Sequence, residues 1–315
     1  MTAFLVRRLL SLAFTAWLAT VAVFVVLEVV PGDPALLMLG TEARPDTLEA
    51  LRAQLGLDRP APVRYAEWIG GLLTGDLGVS VTYNRPVAEL VAERLVITVP
   101  LALGALALST LLALPLGLFA ASRHGRAGDW AVMAFGQLGI AVPGFWFAIL
   151  LILVFAVELG WLPAGGFPGW SAGAGPALTA LLLPAVALAV PEAAILARVT
   201  RAAVLDTLRE DYVRTARAKG LGRRAVLGRH VLPNALVPVV TILGLQFAFL
   251  VGGAVVVENV FQLPGLGRLV YQAVGQRDLV VVRDVVVLLA LFVVAVNLLV
   301  DAAHAAIDPR PRGAA

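Results

Sequence analysis

"DYVRTARAKGLGRRAVLGRHVLPN", residues 211–234, decides how the rest of the chain is read. Five arginines, one lysine and one histidine crowd into this stretch, while long apolar runs flank it on both sides. The stretch overlaps "VTRAAVLDTLREDYVRTARA" (199–218), which lacks Gly and Pro and sets Val204, Leu208, Tyr212 or Val213, and Ala216 on one helical face. Gly220 suits the left-handed position just past a helix end, and Gly222 loosens the turn further. A second short helix is expected over about 223–230, ended by Leu232-Pro233. A lipid anchor needs only cations near the interface. This segment has the organisation of a protruding pair of helices.

The surrounding composition fixes the class. Of 315 residues, 60% are hydrophobic and only 14% charged, with a mean hydropathy of +0.91. Soluble domains carry about 25% charged residues, so a polytopic membrane protein is expected. A bilayer core needs roughly 20 apolar residues in a helix. Six stretches qualify: Leu9–Val30, Thr98–Ala121, Trp130–Val157, Pro176–Ala197, Ala235–Val257 and about Val285–Ile307. Period-two alternation is absent, which argues against a β-barrel. Arg7 and Arg8 precede the first run, but that run is too long for a signal peptide and ends in Pro31-Gly32-Asp33-Pro34 with no cleavage pattern. It reads as an uncleaved anchor.

The expected organisation is all-α. The N-terminus and first span occupy 1–30, and an extracytoplasmic segment with short helices covers 31–97. A five-helix core over 98–307 includes the loop 198–233, and 308–315 is a cytoplasmic tail. In the outer segment, Asp46 and Glu49 form a capping-box pattern, Gly56 suits a helix end and "VRYAEWIGGLL" reads as a helix. "GVSVTY" reads as extended, and Pro86 opens an amphipathic helix. With the N-terminus inside, the inner segments hold 15 Lys and Arg, nine of them in 198–233, against three in the two short outer loops. The positive-inside rule then puts both termini in the cytoplasm.

Several chemistries are absent. The single lysine, Lys219, is followed by Gly220, so no phosphate-binding loop ending in Lys and Ser or Thr exists. The three histidines, His124, His230 and His304, stand far apart, and "GVSVT" lacks the last glycine of a nucleophile elbow. There is no cysteine. A net charge of +3 gives no footing for a nucleic-acid partner. These features argue against an enzyme and against a metal site in this chain. Ion-coupled carriers keep ionisable groups near the midplane. Here the mid-span polar residues are Ser109, Thr110, Gln137, Thr241 and Gln246, while Glu28, Glu158, Glu192, Asn297 and Asp301 fall near span ends. The neutral groups either line a path or glue helices together. A stand-alone ion-coupled carrier is the alternative reading.

Arg214-Thr215-Ala216, Gly220 and His230-Val231-Leu232-Pro233 resemble the EAA motif of binding-protein-dependent ABC importer permeases. "DYVRTARAKGL" resembles the peptide- and nickel-type subgroup, and the B-type permease of dipeptide and oligopeptide importers above all. "PGDPA", "QLGLDRP", "GDLGVS", "ENVFQLPGLG" and "NLLVDAAHAAIDPR" match in order, so the likeness covers nearly all of residues 1–312. The resemblance implies a six-helix type I permease in the bacterial inner membrane. It implies a second, homologous permease, two cytosolic ATPases that bind ATP and Mg, and an extracytoplasmic solute-binding protein. The cargo would be a di- or oligopeptide, a nickel chelate or a glutathione-like peptide. Tyr212, Arg214, Thr215, Ala216, Lys219, Gly220, His230, Leu232 and Pro233 would form the coupling helix that docks an ATPase. Gln137, Thr241, Gln246, Glu258 and Asn259 are candidates for the translocation path. One departure stands out: Arg214 occupies the place of the family's glutamate, so no contact from that glutamate carries over.

Overall fold

The computed structural model describes residues 2–29, 34–39, 44–54 and 56–307. The expectations for Pro31–Asp33, for the 308–315 tail and for the side chains of Arg7, Arg8, Glu28, Asp301 and His304 fall outside what it describes. Thirteen α-helices occur among the described residues: α1 (Thr2–Val29), α2 (Pro34–Leu39), α3 (Pro45–Gln54), α4 (Ala61–Thr74), α5 (Val87–Ser122), α6 (Ala127–Ala141), α7 (Gly144–Leu151), α8 (Ala174–Thr207), α9 (Asp211–Ala218), α10 (Arg223–Val226), α11 (Leu232–Val260), α12 (Leu266–Gln276) and α13 (Leu279–Ile307). Among the described residues, five continuous helical stretches are long and apolar enough to cross a membrane. The count is six if the bent α6–α7 pair forms one crossing.

That pair corrects the uninterrupted third span expected over Trp130–Val157. Val142 is extended, at φ −85° and ψ 123°, and the chain bends by 102° before continuing through α7 into a π-helical segment, Ile152–Glu158. The residue before a proline is pushed out of helical geometry, and Pro143 has no N–H to offer Gly139. Pro100, Pro115, Pro184, Pro191 and Pro238 lie inside helices that run on unbroken.

One compact unit comprises residues 1–98 and 264–294. Its core holds Leu77, Val87, Leu90, Val91, Leu266, Leu269, Ala273, Val281 and Val285.

 Leu269 is fully buried there. Buried carboxylates tie this unit together. Asp278 accepts hydrogen bonds from the Ser80 hydroxyl, from Thr82 N at 3.1 Å and from Val281 N at 3.3 Å, the last capping the start of α13. Asp284 accepts from Trp68 Nε1 and from Arg283 Nε at 3.2 Å, while the Arg283 guanidinium lies 4.7 Å over the Trp68 ring. These bonds let α13 begin at Leu279, six residues ahead of the expected span. α4 forms as expected and meets α1, where the Tyr65 hydroxyl lies 2.8 Å from Thr20 Oγ1 and its ring 5.3 Å from Phe24.

Other details of this unit depart from the sequence reading. The "GVSVTY" stretch is a tight turn closed by a bridge between Val79 and Pro86, with Asn84 at φ 50°. No separate amphipathic helix precedes the second span, because α5 is continuous from Val87. α3 starts at Pro45, so Asp46 sits in the first turn instead of capping it. Leu48 N donates to Arg44 O at 3.0 Å. Gly56 does lie at a helix end, in the left-handed region.

The other unit comprises residues 99–263 and 295–315. Here α8 is the most buried of the long helices and packs against α11, α6 and α7. Its approach to α5 requires Gly117, where a Cβ atom would stand 2.6 Å from both Ala197 O and Thr200 Cβ. Two glycines of α11 differ in their surroundings. Gly244 packs closely on Val300 of α13, whereas Gly252 has open space around it.

Candidate functional site

The basic stretch folds as two short helices on an apolar base. α8 stops at Thr207, and residues 208–210 turn before α9 begins. The single helix expected through 199–218 is therefore broken at Glu210, whose backbone is extended at ψ 143°. The face it was to present survives with one choice settled: Val213 is buried beside Val204 and Ala216, and Tyr212 is exposed. Ala121, Ala203, Val226, Val231 and Ala235 complete the cluster beneath the two helices.

α9 ends in a Schellman motif. Gly220 N donates to Arg217 O at 2.9 Å and Leu221 N to Ala216 O at 3.3 Å, with Gly220 at φ 83°. The second helix is shorter than expected. α10 gives way to a π turn, Leu227–Val231, and Pro233 lies in the first turn of α11, where its missing N–H costs little. Pro233 thus opens the next helix; it does not end the previous one.

Opposite the buried face, Tyr212, Arg214, Thr215, Lys219, Gly220 and Pro233 are exposed. Ala216 belongs to the apolar base, and His230 and Leu232 are half-buried. The Arg214 guanidinium makes only a 3.3 Å contact with Asp211, between two exposed side chains. Such a pair adds little stability, so the cation stays available to solvent or to a partner. A cavity of about 400 Å³ opens beneath the turn, bordered by Ser122, Leu208, Arg217, Leu221 and Arg223. Arg223 Nη2 donates to Ser122 O at 2.8 Å, joining the loop to the end of α5.

The candidate path residues do not share one environment. Gln137 and Thr241 are exposed, Asn259 is half-buried, and Gln246 and Glu258 are buried. Thr241 Oγ1 and Asn259 Nδ2 donate to carbonyls of their own helix, at Val237 and Val255. Gln246 Nε2 reaches across to α8 and donates to Glu192 O at 2.7 Å.

Sequence reasoning missed a cluster close to the loop. Arg201 on α8 grips Asp129 at the start of α6 through Nε and Nη2, the latter at 2.7 Å. Asp129 also accepts from Gly125 N at 2.9 Å. Arg201 Nη2 lies 2.9 Å from His124 Nδ1. The same nitrogen lies 3.2 Å from Asp129 Oδ2, so it accepts from Arg201 in one tautomer and donates to Asp129 in the other. The available signal was Asp129 itself, a lone acid directly after Arg123, His124 and Arg126.

The comparisons with known proteins agree with this architecture. Residues 113–313 match the family described as binding-protein-dependent transport system inner membrane component, and residues 1–102 match its N-terminal membrane-component family. A Brucella abortus (strain 2308) protein, provisionally named as a peptide transport system permease protein, is 41% identical over 99% of both chains. The glutathione transport system permease protein GsiC of Escherichia coli (strain K12) is 41% identical over 98% of both. A chain from the inward-facing MetNI methionine ABC transporter superposes with a TM-score of 0.57 at 22% identity, covering 70% of this chain and 96% of that one. The fold is that of an ABC importer permease. The chain belongs to the binding-protein-dependent transport system inner membrane component family, and it is a multi-pass membrane protein.

Proposed function

We propose that this chain is the permease subunit of an ATP-driven importer of di- or oligopeptides, glutathione-like peptides included, and that α9, the Gly220 turn and α10 form its coupling element. The observation that carries this reading is the two-sided loop: a buried apolar base continuous with α5, α8 and α11, and an exposed basic face. A load applied to that face passes into packed helices instead of dissipating in a flexible loop. Arginine is well suited to grip carboxylates on a partner. The partner is a cytosolic ATPase that binds ATP and Mg, present in two copies. A second, homologous permease supplies the other half of the path, and an extracytoplasmic binding protein delivers the cargo. The names of the 41%-identical relatives support a peptide-class cargo. In this reading the α6–α7 pair is the third of six crossings, and the cation distribution supports cytoplasmic termini.

The test uses the complete transporter in its native membrane. Affinity capture of the tagged chain recovers an ATPase and a second permease, and the complex takes up a dipeptide with ATP. Gly220→Trp places a bulky side chain on the exposed turn at a left-handed position. It abolishes ATPase recovery and uptake while the chain still inserts. Unchanged recovery and uptake in that variant contradict the proposal, as does uptake driven by an ion gradient without ATP.

A further inference from the structure

Glu192 stands near the middle of α8, at residue 19 of its 34, because the helix continues to Thr207. Its sequence position is at the end of the apolar run, and the helix carries on past it for fifteen residues. Its Oε2 is buried and has no hydrogen-bond partner. Gln246, only 2% exposed on α11, spends Nε2 on the Glu192 carbonyl and leaves its own Oε1 buried and unpartnered. Each of the two helices thus carries a buried acceptor that the fold leaves unpaired, and buried polar groups are rarely left so.

A cavity of about 280 Å³ opens at Glu192. Gly144 and Phe145 at the start of α7, Pro191 on α8, and Phe249 and Gly253 on α11 border it. Apart from the Glu192 side chain its lining is apolar, and no Lys or Arg borders it. The cavity exists because α7 starts afresh after the Pro143 break. Its volume falls just below the roughly 300–1,000 Å³ of small-molecule sites, enough for one small group and not for a whole peptide.

A group that complements the Glu192 carboxylate in this otherwise apolar cavity brings N–H donors and a positive charge. A primary ammonium offers three donors and no acceptor, and aromatic rings such as those of Phe145 and Phe249 on the cavity border attract cations. We infer that Glu192 and this cavity form a subsite of the translocation path for a protonated primary amine, the α-ammonium of a peptide in transit. The ammonium identity of the group follows from the cavity, and its belonging to a peptide rests on the import function proposed above.

Because the chain has no cysteine, Phe249→Cys places a single reporter on the cavity wall. In the assembled transporter, labelling of this chain by a cationic and an anionic methanethiosulfonate reagent is followed by mass shift. Adding Glu192→Gln lowers the cation-to-anion rate ratio about tenfold. Ethylammonium and the dipeptide Ala-Ala slow cationic labelling several-fold while Glu192 is present, and N-acetyl-Ala-Ala does not. An unchanged ratio, no labelling by either reagent, or equal protection by the acetylated and free dipeptides overturns the subsite. Protection by ethylammonium in a transporter that imports no peptide would keep the amine subsite and reject the peptide reading.

Discussion

The turn at Gly220 and the turn at Arg277 share a backbone motif and differ in nearly everything attached to it. Both end a short helix in a Schellman motif, the second with Arg277 N on Val274 O at 3.2 Å and Asp278 N on Ala273 O at 2.9 Å. Both place a residue in the left-handed region, Gly220 at φ 83° and Arg277 at φ 59°. After Arg277 comes Asp278, a buried carboxylate that accepts from Ser80, Thr82 and Val281. After Gly220 come the exposed Leu221 and Gly222, and the nearest side-chain anchor is Arg223 on Ser122 O. One turn is tied down by polar groups within the chain; the other rests on apolar packing and turns its cations outward. The difference teaches that a motif's role lies in where its side chains find partners, since the backbone solution is the same.

The comparison breaks most severely at Asp278. Asp278→Ala strips a buried hydroxyl and two backbone amides of their acceptor and removes the cap of α13, costing about 3 kcal/mol. Thermal unfolding and limited proteolysis in detergent would register that loss within residues 1–98 and 264–294. Gly220→Val comes next. A β-branched residue forced into the left-handed region costs about 1–2 kcal/mol, although open space surrounds the position. Gly220→Asn should cost well under 1 kcal/mol, since asparagine tolerates that region. A matching series of melting temperatures separates backbone strain from lost contacts. Arg214→Ala has the smallest expected effect on stability, with no measurable change in Tm, because its ion pair with Asp211 is exposed at both ends. The same variant should weaken ATPase capture, which a pull-down titration reads directly.

What was legible in the sequence was local. The apolar runs set the spans, Gly220 and Gly56 marked helix ends, and the spacing of Val204, Val213 and Ala216 gave the buried face of the loop. What was hidden depended on distant partners. Pro143 and Pro191 both follow valine, yet one breaks its helix and the other stays inside one. A proline in a span is tolerated where neighbouring groups take up the freed backbone, and sequence gives no view of those neighbours. Asp284 looked like a charge outside the last span until Trp68, 216 residues away, supplied its donor. The helix α12 was hidden inside a stretch read as one of the two short outer loops. Of the candidate path residues, Gln246 proved to lie beside a group the sequence reading had set at a span end, Glu192.

The central claim is that the exposed face of the Gly220 turn docks an ATPase, and site-directed cross-linking tests it most directly. The cysteine-free chain accepts single reporters at Lys219 and Leu221 on that face and at Val79 on the opposite expected side of the membrane. In a complex that hydrolyses ATP, Lys219→Cys and Leu221→Cys should cross-link to the ATPase through a short bifunctional maleimide, and Val79→Cys should not. An ATPase that cross-links to neither loop position, while the complex remains intact and active, would contradict the account.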